Sequence, residues 1–297
     1  TMAVTGVLRG FQDTRTPLVV TVITFSLNLV LNLWFVLGMG WGIEGSAIGT
    51  LICQIAMAVA LVWVLWRRTH GLDLSLVPHW GGIASSLRDG IPLLIRTLAL
   101  RAALYVTTWV AARAGAITMA AYQVTMTIWN LLLMTMDALG IAGQALTGAS
   151  LGAGDIRRTR LLTGTMTRWG VWAGVVIGAL LAASHQLVPA IYTNDPAVHR
   201  AVAAGLLVVA VEQVIAGPAF ILDGVLIGAG DGRWLSRAQV VMFLVYLPMA
   251  WAVHLWAPAD PAAAVVWLWI AFGGFMAVRC GILAWRAHGD AWMRTGA

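Results

Sequence analysis

The chain has 297 residues, of which 60% are apolar and 10% charged, and its formal net charge is +6. Soluble domains carry about a quarter charged residues, so this composition excludes a single water-soluble core and points to a polytopic membrane protein. All eighteen basic residues are arginine. They are scattered between apolar runs and form no single face, so they read as loop charges that set topology rather than as contacts to nucleic acid.

The first loop, Gly6 to Arg15, reads GVLRGFQDTR. A near copy, GVLIGAGDGR, runs from Gly224 to Arg233, and six of ten positions match at an offset of 218 (224 minus 6). A spanning helix needs about 20 mostly apolar residues, and eight stretches qualify. The first is Pro17 to Gly38, where Pro17 suits a first helical turn because its missing N–H costs nothing there. The second is Glu44 to Trp66, and the long polar linker from Arg67 to Asp89 follows. The third and fourth run from Gly90 to Ala114 and from Thr118 to Gly148. The fifth is Thr159 to Ala183. The sixth is Ala197 to Ala229, with a kink predicted at Gly217-Pro218. The seventh and eighth are Trp234 to Trp256 and Ala262 to Trp285. Cys53 and Cys280 both sit inside apolar runs and read as small buried hydrophobes.

Counting arginines by side tests this assignment. Arg9, Arg15, Arg67, Arg68, Arg88, Arg157, Arg158, Arg160, Arg233, Arg237, Arg286 and Arg294 fall on one side, and only Arg113 and Arg200 on the other. The bias alternates correctly with eight spans and with no other number. It predicts that the arginine-rich loops and the C-terminus are cytoplasmic. Arg96, Arg101, Arg168 and Arg279 remain within or near the ends of the spans.

The repeat then organises the chain. Two helices follow each copy of the loop, but four precede only the second copy. The expected whole is an all-α membrane protein of twelve helices in two six-helix lobes, of which eight are present here, four further helices being expected ahead of the first loop. Residues 1–66 then hold the last two helices of the first lobe and the turn before them, 67–89 the linker, and 90–297 the second lobe with a short tail. Repeats of this kind are the building plan of secondary transporters.

Several strings resemble the multidrug and toxic compound extrusion (MATE) transporters, in their DinF-like branch. They are GVLRGFQDTRTPL, NLVLNLWFVLGMGWGIEGSAIGT, LLIRTLAL, DALGIAGQALTGASLGAGD and LDGVLIGAGDGR. The resemblance covers essentially the whole chain. It implies two six-helix lobes joined by a cytoplasmic linker in the bacterial cytoplasmic (inner) membrane. It implies an antiporter that works by alternating access and exports cationic or amphipathic compounds against an inward flow of protons or sodium ions. No cofactor beyond that ion is expected, the partners being small organic cations and the bilayer, and the protein is expected to act as a monomer.

Polar groups inside a membrane are costly, so each is a functional candidate. Asn28 and Asn32, four apart, share one helix face. Asn32 and Thr50 each lie six residues from an outer helix end, about 9 Å deep at about 1.5 Å per residue. The resemblance places Asn28, Asn32 and Thr50 on its coupling-ion pocket. The resemblance completes this pocket with a carboxylate on the first helix of the full protein; many relatives carry Asp where this chain has Asn32, and since an amide takes up no proton near neutral pH, that carboxylate would have to titrate alone. The alternative is that the amides join helices by hydrogen bonds. In the second lobe, equal depths suggest two charge pairs, Arg101–Asp137 at about 16 Å and Arg96–Asp223 at about 9 Å. These pairs would be structural or substrate-binding. Glu212 has no evident basic partner and is the proton-carrier candidate of this half; a hydrated, outward-facing Glu212 is the other reading. Tyr105, Tyr122, Met126 and Trp129, with Met134 and Met136, could form a soft wall for varied ligands or belong to core and interfacial belt.

Three competing readings are open. GASLG, Gly148 to Gly152, matches G-x-S-x-G, but that motif needs a strand-to-helix elbow and a nearby His. Ser150 instead ends a helix, His254 lies at the opposite end of the seventh span, and His70 and His79 are in the linker. The glycines are better explained as a helix end and tight turn, with Asp155 capping the next helix. The chain is therefore not read as an enzyme. A lipid-linked oligosaccharide flippase on the same scaffold would need a more basic central cavity for a pyrophosphate. The third reading is that the chain is an inactive fragment of the transporter.

Overall fold

The computed structural model describes residues 1–10, 13–70 and 80–293, without the side chains of 9, 10, 83–86 and 89. Linker residues 71–79 with His79, the side chain of Arg9, and Arg294 lie outside what is described.

The helices are α1 (Met2–Gly10), α2 (Arg15–Asn32), α3 (Gly42–Thr69), α4 (Trp80–Arg113), α5 (Ala116–Gly152), α6 (Ile156–Ser184), α7 (Leu187–Tyr192), α8 (Pro196–Gly228), α9 (Gly232–Trp256) and α10 (Pro261–His288). Among the described residues, eight helices are long and apolar enough to cross a membrane, and they fall where the hydropathy of the sequence puts them. The chain is a multi-pass membrane protein. Three features go beyond the sequence reading. α2 is prolonged by a π-helical turn, Leu33–Gly38. α4 begins at Trp80, ten residues before its span (90 minus 80), because the end of the linker continues the helix without being apolar. α8 remains one helix through Gly217-Pro218.

Local chemistry sets the helix ends. Asp155 accepts from Arg158 N–H at 2.8 Å, Asp195 from Ala197 N–H at 2.8 Å and Asp260 from Ala263 N–H at 2.9 Å. Each satisfies an N–H that the first turn leaves without a partner. Pro196 and Pro261 open α8 and α10. Gly154 (φ 76°) and Gly230 (φ 75°) supply the left-handed residues of the two tight turns.

The chain divides into two compact units, residues 1–79 and 80–297. In the first, α2 packs along α3 and faces buried Gly49 through Leu31, while the π-helical turn faces buried Gly45 through Phe35. In the second, α8 is the central helix and is flanked by α5, α6 and α10, while α4 packs on α9. Of the most apolar stretch of α8, 72% is buried, against 44% for α10 and less for the other spans. A helix that is apolar all round belongs inside. α8 meets its neighbours backbone to backbone. A Cβ on Gly217 would strike the Gly170 carbonyl of α6, and one on Gly224 the Gly140 carbonyl of α5. Gly170, Gly174 and Gly178, four apart, give α6 one smooth face toward α8.

Candidate functional site

In the first unit, α2 and α3 bring Asn28, Asn32 and Thr50 together. Asn32 Nδ2 donates to Asn28 Oδ1 at 2.9 Å, Asn28 Nδ2 to Thr50 Oγ1 at 3.3 Å, and Thr50 Oγ1 to the Ser46 carbonyl at 2.9 Å. The chain of bonds ends at Asn32 Oδ1, which is buried and has no partner. The π-helical turn begins at the next residue, Leu33. Turns of this kind are frequent at functional sites. Three neutral side chains can offer oxygens to a cation but cannot titrate. The signal for the turn was absent from the sequence, because a π-turn has no propensity pattern of its own.

In the second unit, Glu212 on α8 is 2% exposed. Its Oε1 accepts from Trp129 Nε1 at 3.1 Å, and Oε2 has no partner. No basic side chain contacts it among the described residues, and it does not face water. Around it the aromatic core carries further polar atoms. Tyr246 Oη and Thr107 Oγ1 share a hydrogen bond of 2.5 Å, Tyr122 Oη lies 3.3 Å from Thr108 Oγ1, and Trp269 Nε1 donates to Thr125 Oγ1 at 2.9 Å. Trp129 meets Phe272 edge-on, 5.2 Å between centroids.

The four predicted aromatic and Met positions do not form one wall. Tyr122 and Trp129 lie in the buried core of the unit, Met126 packs partly against it, and Tyr105 is 73% exposed. Tyr122 and Trp129 are seven apart, two helical turns, on the stripe of α5 that faces inward.

Nearer the arginine-rich end, Asp223 of α8 binds two guanidiniums. Arg96 of α4 donates from Nε to Oδ1 at 3.2 Å and from Nη2 to Oδ2. Arg279 of α10 donates from Nη2 to Oδ2 at 3.1 Å. Arg279 is 1% exposed and lies over the Phe220 ring, with its Cζ 4.9 Å from the centroid. Its Nε and Nη1 have no partner. The expected Arg101–Asp137 pair is not formed among the described residues, and both side chains are exposed. Arg101 is five residues beyond Arg96, which turns it about 140° away around the helix. Sequence reasoning missed Arg279 as a partner. Its signal was available, since it lies six residues before Trp285 at the end of its span, the same depth as Arg96 and Asp223.

At its arginine-rich end each unit has a pair between a turn aspartate and a helix-end arginine, and the second unit has Arg160–Asp290 besides. Arg68 Nη2 meets Asp13 Oδ2 at 2.7 Å, and Arg286 Nε meets Asp231 Oδ2 at 2.7 Å. A cavity of about 840 Å³ opens beside the second pair and is lined by Leu93, Leu151, Asp231, Trp234, Arg237 and Arg286 among others. Ser150, from the GASLG match, ends α5 and shares a 2.7 Å hydrogen bond with Thr159 Oγ1.

This architecture recurs among known proteins. A solved structure described as the outward-facing conformation of a multidrug resistance MATE family transporter superposes with a TM-score of 0.82, at 20% identity, over 96% of this chain and 65% of that one. Protein DETOXIFICATION 45, chloroplastic, of Arabidopsis thaliana is 31% identical over 280 residues, 94% of this chain and 48% of its own length. DNA damage-inducible protein F of Escherichia coli (strain K12) is 24% identical over 95% of this chain and 61% of its own length. The chain thus spans about half the length of the first of these relatives. The MatE family model matches residues 92–252, more than half of the chain. With this match in sequence, and the same helical fold, the chain belongs to the MatE family of multidrug and toxic compound extrusion transporters.

Proposed function

We propose that the protein is a secondary antiporter that exports cationic or amphipathic small molecules from the cytoplasm, driven by inward protons or sodium ions, with two lobes alternating access. Its arginine-rich side and C-terminus are cytoplasmic, in the inner membrane of a bacterium, and it acts as a monomer. Relatives described as multidrug resistance and multidrug extrusion proteins support the substrate class.

The observation that carries the coupling half of the proposal is Glu212. A carboxyl group inside a spanning helix, held by one indole N–H and with its second oxygen free, is costly as an anion unless it takes up a proton or a cation. Asn28, Asn32 and Thr50 can hold a cation only through neutral oxygens, and Glu212 is the proton-carrier candidate of the second unit. The Asp223 cluster serves to hold α4, α8 and α10 together.

Efflux of a cationic dye by the intact protein, with the sodium and proton gradients collapsed separately, tests the reading. Efflux should stop when the coupling gradient is removed. Efflux that persists with both gradients collapsed would rule out an antiporter. One observation favours the flippase reading: Asp223 is shared by two guanidiniums, leaving positive charge in excess. Arg279 is fully buried against the Phe220 ring, and that weakens the case for a pyrophosphate site.

A further inference from the structure

The pairs Asp13–Arg68 and Asp231–Arg286 have the same length, 2.7 Å. They also have the same place in the repeat. Asp231 is 218 positions after Asp13 (231 minus 13), and Arg286 is 218 positions after Arg68 (286 minus 68). That is the offset of the duplicated loop. Only the loop aspartate belongs to the loop match. The arginines lie 55 residues farther along the chain, so their agreement is an independent observation.

The geometry of each pair is that of a clasp. α2 and α3 form a hairpin joined at the outer end by residues 39–41, and α9 and α10 form one joined by residues 257–260. In each hairpin the aspartate stands just before the first helix and the arginine in the last turn of the second. The ion pair therefore joins the two free ends of the hairpin and closes it at the cytoplasmic side. The details differ by half. Asp13 also accepts from the Thr16 N–H at 3.0 Å and its hydroxyl at 2.8 Å. Asp231 makes no such cap on α9, and Arg286 instead rests on the Trp234 ring, 5.1 Å from its centroid.

The inner charges are not repeated. Counting back 218 from Asp223 and Arg279 reaches Thr5 and Leu61, both uncharged, and Leu61 is 1% exposed. The inner cluster thus belongs to one half, while the clasp is common to both. On the transporter reading, a feature kept in both halves serves something that both halves do.

We propose that Asp13, Arg68, Asp231 and Arg286 are positioning residues for transport, two copies of one clasp that stays closed through the cycle. Each clasp keeps a hairpin and the turn before it as one rigid element. In the second half it fixes the end of α8, the helix of Glu212, to α10, two turns below the Asp223–Arg279 link. This inference rests on the transporter reading, and its test has a readout that does not.

Asp231→Arg, Arg286→Asp and the double swap, with the matching set at 13 and 68, are introduced into the intact protein in lipid nanodiscs. Backbone deuterium exchange is followed at 228–235 and 13–18, and dye efflux is measured against dye concentration. Each single reversal should speed exchange at its own turn roughly tenfold as like charges meet, and the reversals at 13 and 68, which line no described cavity, should lower kcat with KM unchanged. The swap places Arg at a helix start and Asp at a helix end, against both dipoles, so it should restore the slow exchange in part; Asp231→Glu should keep it. Single reversals that exchange like the parent, or a swap and a Glu variant as fast as the single reversals, would overturn the clasp. If the parent moves no dye, the efflux reading fails while the exchange result still decides the clasp.

Discussion

Asp223 is 5% exposed and accepts from Arg96 and Arg279. Replacing it by Asn leaves two guanidiniums without their counter-charge, one of them fully buried. Losing one member of a buried pair costs about 3–5 kcal/mol, so Asp223→Asn should lower the unfolding temperature in detergent well beyond the effect of the same change at exposed Asp137. Depth along a helix found Arg96–Asp223 because both lie six residues from the same side. Depth also suggested Arg101–Asp137, and there it failed, because equal depth says nothing of direction around the helix. Asp13 lies outside the membrane, in the turn before the first span. The Thr16 N–H, then the Thr16 hydroxyl and the Arg68 charge, hold its carboxyl below its ordinary value. A depressed carboxyl stabilises the fold above the unfolded value and ceases to do so as pH falls through the folded one. Protection of the Thr16 amide from exchange, corrected for intrinsic rates, should therefore hold at pH 6 and decline below about pH 4.

At the scale of elements, the spans were legible because hydropathy and helix length are set by the bilayer, not by partners. Asp155 as a cap was legible because capping is local. The contacts of α8 were not. Gly170, Gly174 and Gly178 show their four-residue spacing in the sequence, but nothing there says that Gly217 is what they face. That contact depends on how α6 and α8 cross. It gives a sharp expectation: Gly217→Val has no space against the Gly170 carbonyl, and overpacking of a close contact costs about 1–3 kcal/mol or more. Gly164→Val, where a Cβ meets nothing, is the matched control. Thermal unfolding in detergent should separate the two. The π-helical turn after Asn32 is the other element that the sequence hid. It sits against the amide pocket, whose one buried oxygen without a partner is Asn32 Oδ1.

For the whole molecule, the duplicated loop announced two related halves, and the clasp found in both units gives that repeat a physical form. Chemistry divides the halves. The first unit offers three neutral side chains, Asn28, Asn32 and Thr50; the second offers Glu212, a buried carboxyl group without a basic partner among the described residues. On the proposed reading, Glu212 is where a coupling proton would bind in the second unit. Of the aromatic residues expected to line a substrate wall, Tyr122 and Trp129 instead lie on the inward stripe of α5, where Trp129 donates to that carboxyl group, while Tyr105 is exposed. The most direct test is proton uptake coupled to dye efflux by the intact protein in liposomes, compared with Glu212→Gln. The account predicts that Gln, which keeps the shape and the Trp129 bond but takes no proton, binds dye with unchanged affinity and abolishes both proton-driven efflux and coupled proton movement. Full proton-coupled efflux by Glu212→Gln would contradict it.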